Sequence, residues 1–137
     1  DIGIHSIKDA VGDFEFSLKE LTELKNETYI YSGDDALTLD FLKNGAVGLV
    51  SVASHVLGKQ IRKMIDHFLS NEITNAEEIE TIIMPLIHAL FEEPSPGAVK
   101  HLLTISWENV GFPQLPMTAV SDELAKKLND LYVKLNN

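Results

Sequence analysis

The chain has 137 residues, enough for one domain, and its 45% hydrophobic content is sufficient for a core. Eleven Lys and Arg stand against 21 Asp and Glu, a formal charge of -10, which argues against a general nucleic-acid binder and against an anionic membrane surface. The lack of cysteine excludes disulfides, thiolate metal sites and cysteine nucleophiles, and no apolar run reaches the ~18 residues that span a bilayer. No signal peptide is visible, and a cytoplasmic protein is the expectation.

Residues 2–7, IGIHSI, read as a first strand. Asp13 then stands where it can cap a helix carrying Phe14, Leu18 and Leu21 on one face. TYIYS at 28–32 is a second strand, followed by SGDDALTLDFLKNG: a turn, a cap from Asp34 or Asp35, and a short helix ended by Asn44-Gly45. AVGLVSVA at 46–53 is a third strand. In the GKQIRKMIDHFLSN that follows, Ile61, Met64, Ile65, Phe68 and Leu69 recur at amphipathic helix spacing.

The order βαβαβα predicts parallel strands joined by right-handed crossovers, and strands this apolar predict a sheet covered on both faces. The rest reads as helix. A long segment contains Pro85, which should kink it or start a new one. A shorter helix has Ser95 as candidate cap and Pro96 in its first turn. After a proline-containing loop, Ser121 caps a last helix with Leu124, Leu128, Leu131 and Leu135 in line. The expected organisation is α/β: three βα units over residues 1–72 and a helical region over 73–137. Three parallel strands alone leave two apolar edges unpaired, so the pattern is expected to be the end of something larger.

Three places carry candidate chemistry. Strand alternation puts Ile4, Ser6 and Lys8 on one face. Lys8 is either a strand-end lysine whose stem covers apolar surface or an amine able to attack a carbonyl and form a Schiff base, for which burial favours the neutral form. In βα folds, active sites collect at the C-terminal ends of the strands, where Lys8 falls. In YSGDDAL (31–37), Gly33 permits close backbone approach and Asp34 or Asp35 caps the next helix; a capped βα turn explains most of it, and a ligand beside Gly33 is the functional alternative. Gly45 and Gly48 flank the third strand and can be purely structural. The five histidines show no i, i+4 pair and no HExxH, so no metal site is expected, and no GxSxG, P-loop or GxGxxG occurs.

Taken together, GIHSIKDAVGD, YSGDDALTLDFLKNGAVGLVSV, LFEEPSPGAVKHLL and LPMTAVSDELAKKL resemble, in order and spacing, four segments of the C-terminal half of the dihydrodipicolinate synthase family, within the pyruvate-dependent class I aldolase and lyase superfamily. The resemblance implies the C-terminal part of a TIM (β/α)8 barrel, about its last three βα units, followed by a helical C-terminal region. It implies that Lys8 is the Schiff-base lysine and that the Val50 backbone lies against bound pyruvate. Gly33 and Asp34 fall on the rim beside the substrate. The implied reaction condenses pyruvate with aspartate 4-semialdehyde in lysine (diaminopimelate) biosynthesis, without metal or organic cofactor. Asp9 replaces the usual Glu after the lysine, Val11 a Thr or Ser, and Ala46 a common second glycine; Ser95 and Gly97 alter the E-P-N-P-I stretch, and VASH replaces T-A-N after the last strand. The family's carboxylate-binding threonines, proton-relay tyrosines, aldehyde-binding arginine and feedback site belong to earlier strands, so the chain alone is expected to be inactive or weakly active.

Two alternatives stand beside this reading. One is a related pyruvate lyase, such as N-acetylneuraminate lyase or a keto-deoxy sugar-acid aldolase, although SGDD and GLVSV favour the synthase. The other is a non-catalytic half-barrel that buries its open sheet edges by self-association. The expected partners are pyruvate and an aldehyde, with no nucleic acid and no membrane, in a homo-oligomer or an association through sheet edges.

Overall fold

The computed structural model describes residues 3–24 and 27–136. The chain divides into two compact units, Asp1–Ser51 and Val52–Asn137.

The first unit is a three-stranded parallel sheet with strand order β1-β2-β3, formed by β1 (Ser6–Asp9), β2 (Tyr29–Ser32) and β3 (Gly48–Leu49). Helix α1 (Phe14–Leu24) joins the first two strands. A 3-10 turn (Asp35–Leu37) and helix α2 (Thr38–Lys43) join the second to the third. The predicted caps are in place. Asp13 Oδ1 accepts from the amides of Glu15 and Phe16 at 3.0 and 3.2 Å, and Asp34 Oδ1 accepts from Ala36 N at 2.8 Å. Gly45, at φ 100°, makes the left-handed step that ends α2 and that an L side chain resists.

Strand β1 differs from the sequence reading. It runs from Ser6 to Asp9 rather than over 2–7, and Ile2 lies outside the described residues. Pairing sets these limits: Ser6, Ile7, Lys8 and Asp9 align with Tyr29, Ile30, Tyr31 and Ser32. Lys8 therefore sits inside the strand. Strand β3 is also shorter than 46–53, although Val47 N and Val50 N, bonded to Ile30 O and Ser32 O at 2.8 Å each, carry the ladder past its ends.

One face of the sheet is covered. Leu21 of α1, Ile30 of β2, Phe41 of α2 and Ala46 form a buried cluster, with Phe14, Leu24 and Leu37 packed against it. The Phe14 and Phe41 rings meet at 5.9 Å and 57°, a tilted aromatic pair. The other face is open: Ser6 and Lys8 are exposed, and Tyr29 retains 64% of its accessible surface. The expectation of two covered faces fails for this chain, because α1 and α2 both pack on the Ile30 side.

The second unit is helical: α3 (Ser54–Leu69), α4 (Ile73–Leu90), α5 (Gly97–Ser106) and α6 (Asp122–Asn136). Helix α3 packs on α4 and α5 and belongs with this unit, and α6 packs on α4 and α5. Helix α3 starts earlier than its amphipathic run and bends at Leu57 (φ -120°). Helix α4 continues through Pro85 as one element; Pro85 is exposed. Ser95 does not cap α5, because Pro96 occupies the cap position. Ser121 does cap α6, its Oγ accepting from Leu124 N at 3.2 Å and donating to Glu93 Oε1 at 2.5 Å.

Candidate active site

The four residues singled out from the sequence all lie in the first unit, at or just beyond the C-terminal ends of its strands. Lys8 and Tyr31 are register partners, as are Tyr31 and Gly48. Equivalent positions on parallel strands share a face, so Lys8, Tyr31 and Gly48 form a row across the open side. Gly48 makes room for Tyr31: a Cβ there would lie 3.1 Å from two atoms of the ring. The sequence places Tyr31 in a strand and assigns it no role of its own. Its place beside Lys8 depends on pairing register, which no local pattern encodes.

Gly33 follows β2 directly. Its N–H donates to Asp9 O at 2.6 Å. A Cβ on Gly33 would stand 2.5 Å from Lys8 Cε, 2.7 Å from Ala10 Cβ and 2.9 Å from Asp9 O. Lys8 and Gly33 are thus in direct contact. Asp34 is occupied locally: besides capping the 3-10 turn, its N–H donates to Ser32 Oγ at 3.1 Å and its carbonyl accepts from that hydroxyl at 2.8 Å. Val50 is held by its amide on Ser32 O, with about half of its surface (49%) exposed.

Two further carboxylates brace this rim. Asp35 is buried, and its Oδ1 accepts a hydrogen bond from Ser51 Oγ. Its carbonyl accepts from Thr38 Oγ1 at 2.8 Å. The Asp35–Ser51 bond ties the loop after β2 to the residue following Val50, and sequence spacing gave no sign of it. Asp9 is also buried. Its Oδ1 accepts from Val11 N at 2.9 Å, while Oδ2 has no hydrogen-bond partner among the described residues. Burial first, and then the charge of Asp9, push the Glu20 carboxyl above its ordinary value. Both disfavour the ionised form.

Among the described residues, no group of three or more His, Asp or Glu is placed to hold a metal ion, and no helix is long and apolar enough to cross a membrane. A cavity of about 360 Å3 in the second unit is lined by residues that include Lys100, His101, Phe112 and Asp122. Lys8, Gly33, Asp34 and Val50 are not among them.

The arrangement offers a primary amine on an open sheet face, its stem against bare backbone, at the end of parallel strands where βα folds place their chemistry. The model of the dihydrodipicolinate synthetase family matches residues 2–134. A 4-hydroxy-tetrahydrodipicolinate synthase of Bacillus subtilis (strain 168) is 38% identical over 118 residues, which is 86% of this chain and 41% of that protein. One of Prochlorococcus marinus (strain AS9601) is 42% identical over 130 residues, covering 92% of this chain and 42% of that one. The crystal structure of a dihydrodipicolinate synthase from Bacillus anthracis superposes with a TM-score of 0.87 at 35% identity, over 95% of this chain and 44% of that one. The Thermotoga maritima enzyme superposes at 0.92 and 25% identity, over 96% and 45%. The chain therefore spans less than half the length of the relatives it matches. Its α/β fold is the C-terminal part of a (β/α)8 barrel with the helical region that follows.

Proposed function

The chain belongs to the dihydrodipicolinate synthetase family, and from that premise we propose that Lys8 is the Schiff-base lysine of a pyruvate-dependent lyase acting in lysine biosynthesis in the cytoplasm. The observation that carries this reading is the Lys8 stem lying against Gly33 at the C-terminal end of the parallel strands. The neutral amine attacks C2 of pyruvate; the carbinolamine loses water to give an iminium ion. Loss of a methyl proton gives the enamine, whose carbon bonds to the aldehyde carbon of aspartate 4-semialdehyde as the aldehyde oxygen takes a proton. The substrate's own amine then attacks C2, closes the ring and releases Lys8 as a free amine. Such covalent catalysis divides one hard step into easier ones.

On this reading Val50 presents backbone to pyruvate, Asp34 shapes the loop beside it, and Ser32 and the Asp35–Ser51 bond hold both loops. No metal or organic cofactor enters these steps. Positioning and general acid–base groups each supply large rate factors. A chain with less than half the length of its relatives is accordingly proposed to retain Schiff-base formation and little turnover. Borohydride reduction in the presence of pyruvate tests this. The expected result is a reduced adduct mapped to Lys8 and lost in Lys8→Arg. No adduct, or one that persists on other lysines in the variant, overturns it.

A further inference from the structure

We infer that Gly33 is a positioning residue for Lys8, its missing side chain leaving the seat along which the lysine stem runs; the inference rests on the Schiff-base reading above. Lys8 is in register with Tyr31, two residues before Gly33. That is roughly 6–7 Å along the strand at about 3.3 Å per residue. Yet Lys8 Cε lies 2.5 Å from where a Gly33 Cβ would be. The stem therefore lies along the sheet face toward the C-terminal rim instead of standing upright from it, and it carries the amine there.

The need for glycine here is one of space. Gly12 and Gly45 have φ values of 76° and 100°, whereas Gly33 lies outside the left-handed region. A Cβ at Gly33 would crowd the Ala10 methyl and the Asp9 carbonyl and would push the Lys8 stem aside. The Gly33 N–H to Asp9 O bond of 2.6 Å holds the backbone against retreat. A lysine has many rotamers to lose on being held. A seat that selects those directed to the rim places the amine where a carbonyl can meet it.

Two variants fill the seat from different sides. Gly33→Ala puts a carbon into it. Ala10→Val, at an exposed position whose Cβ borders the seat, overhangs it while Gly33 itself stays glycine. Gly58→Ala, where a Cβ meets nothing within 4 Å, is the control. The readouts are the nuclear Overhauser effect between Lys8 Hε and Gly33 Hα, and the rate of borohydride-trapped pyruvate adduct at Lys8, with circular dichroism reporting the fold. The expected result is a wild-type Overhauser effect that Ala10→Val loses; Gly33→Ala, which replaces the proton facing the stem, is read by trapping alone. Trapping should slow about tenfold or more in both, while Gly58→Ala matches wild type. If Gly33→Ala does not fold, Ala10→Val decides. A missing wild-type Overhauser effect, or seat variants that trap at the wild-type rate, overturns the inference. A wild-type chain that shows the Overhauser effect but no adduct overturns the Schiff-base reading instead. The seat is then judged by whether Ala10→Val loses the effect: retention overturns it.

Discussion

Changing Ser51 to Ala tests how firmly the rim is braced. Ser51 Oγ donates to Oδ1 of Asp35, a carboxylate 3% exposed. Hydrogen bonds to charged groups contribute about 1.5–3 kcal/mol net, and neutral ones about 0.5–1.5. Ser51→Ala in the native background should therefore cost about 1.5–3 kcal/mol locally, and about 0.5–1.5 against Asp35→Asn, whose oxygen keeps the acceptor but not the charge. The difference, about 1 kcal/mol, is the coupling that a double-mutant cycle isolates. Two compact units make a single global unfolding midpoint a poor measure. Site-resolved amide exchange at Val50, whose N–H bonds Ser32 O, reads the opening of this rim directly. At 1.36 kcal/mol per decade, Ser51→Ala should lower Val50 protection about 10–150-fold. Equal losses in both backgrounds, or a loss under about threefold, would refute the idea that a charge-assisted bond joins these loops.

Three other outcomes follow from the same geometry. The raised Glu20 pKa means that the folded chain holds its proton more tightly than the unfolded chain does. Stability should therefore fall as pH rises from the ordinary value of 4.5 through the raised folded one, and Glu20→Gln should remove that slope in a pH series of denaturation curves. With Glu20 partly exposed and screened by solvent, the stability that Glu20→Gln gains over wild type at neutral pH should stay within about 0.2–1 kcal/mol, and an unchanged slope would count against the assignment. Ile30→Ala, in the buried cluster of the first unit, should destabilise that unit by about 2–5 kcal/mol, read as lost exchange protection in β2 with the second unit unaffected. Sheet order β1-β2-β3 gives each outer strand one neighbour, and such edges invite pairing; light scattering should find dimers or larger species, and a stable monomer at high concentration would refute this.

Features that depend on nearby residues were legible in the sequence. Asp13 as a cap, a second cap from Asp34 or Asp35, Gly45 after α2, Ser121 before α6 and the parallel βα order all follow from short-range rules. Features set by pairing were not. The apolar run IGIHSI centred the first strand on residues 2–7, but alignment with β2 moved it to Ser6–Asp9, which placed Lys8 inside the strand and Tyr31 beside it. Ser95 misled as a cap because Ser before Pro has the right chemistry one residue too early. Asp35 and Ser51 are 16 residues apart and meet only because β2 and β3 are neighbours. Gly33 was marked for close approach, but what approaches it, the Lys8 stem, is a tertiary fact.

The open sheet face separates two contributions that usually come together. A lysine that attacks carbonyls needs its amine aimed at the substrate, and it benefits from burial that favours the neutral form. Aim is local here: Gly33, Ala10 and the Asp9 carbonyl border the Lys8 stem within one three-stranded sheet. Cover is not, since Lys8, Tyr29 and Val50 stay exposed on or beside that face while α1 and α2 pack on the other. The apolar character of the strands, which predicted two covered faces, thus describes a surface that this chain leaves open. Comparing the pH dependence of Lys8 trapping in this chain with that in a relative about twice its length would assign the difference to cover. The effect of Gly33→Ala, common to both, would assign the remainder to aim.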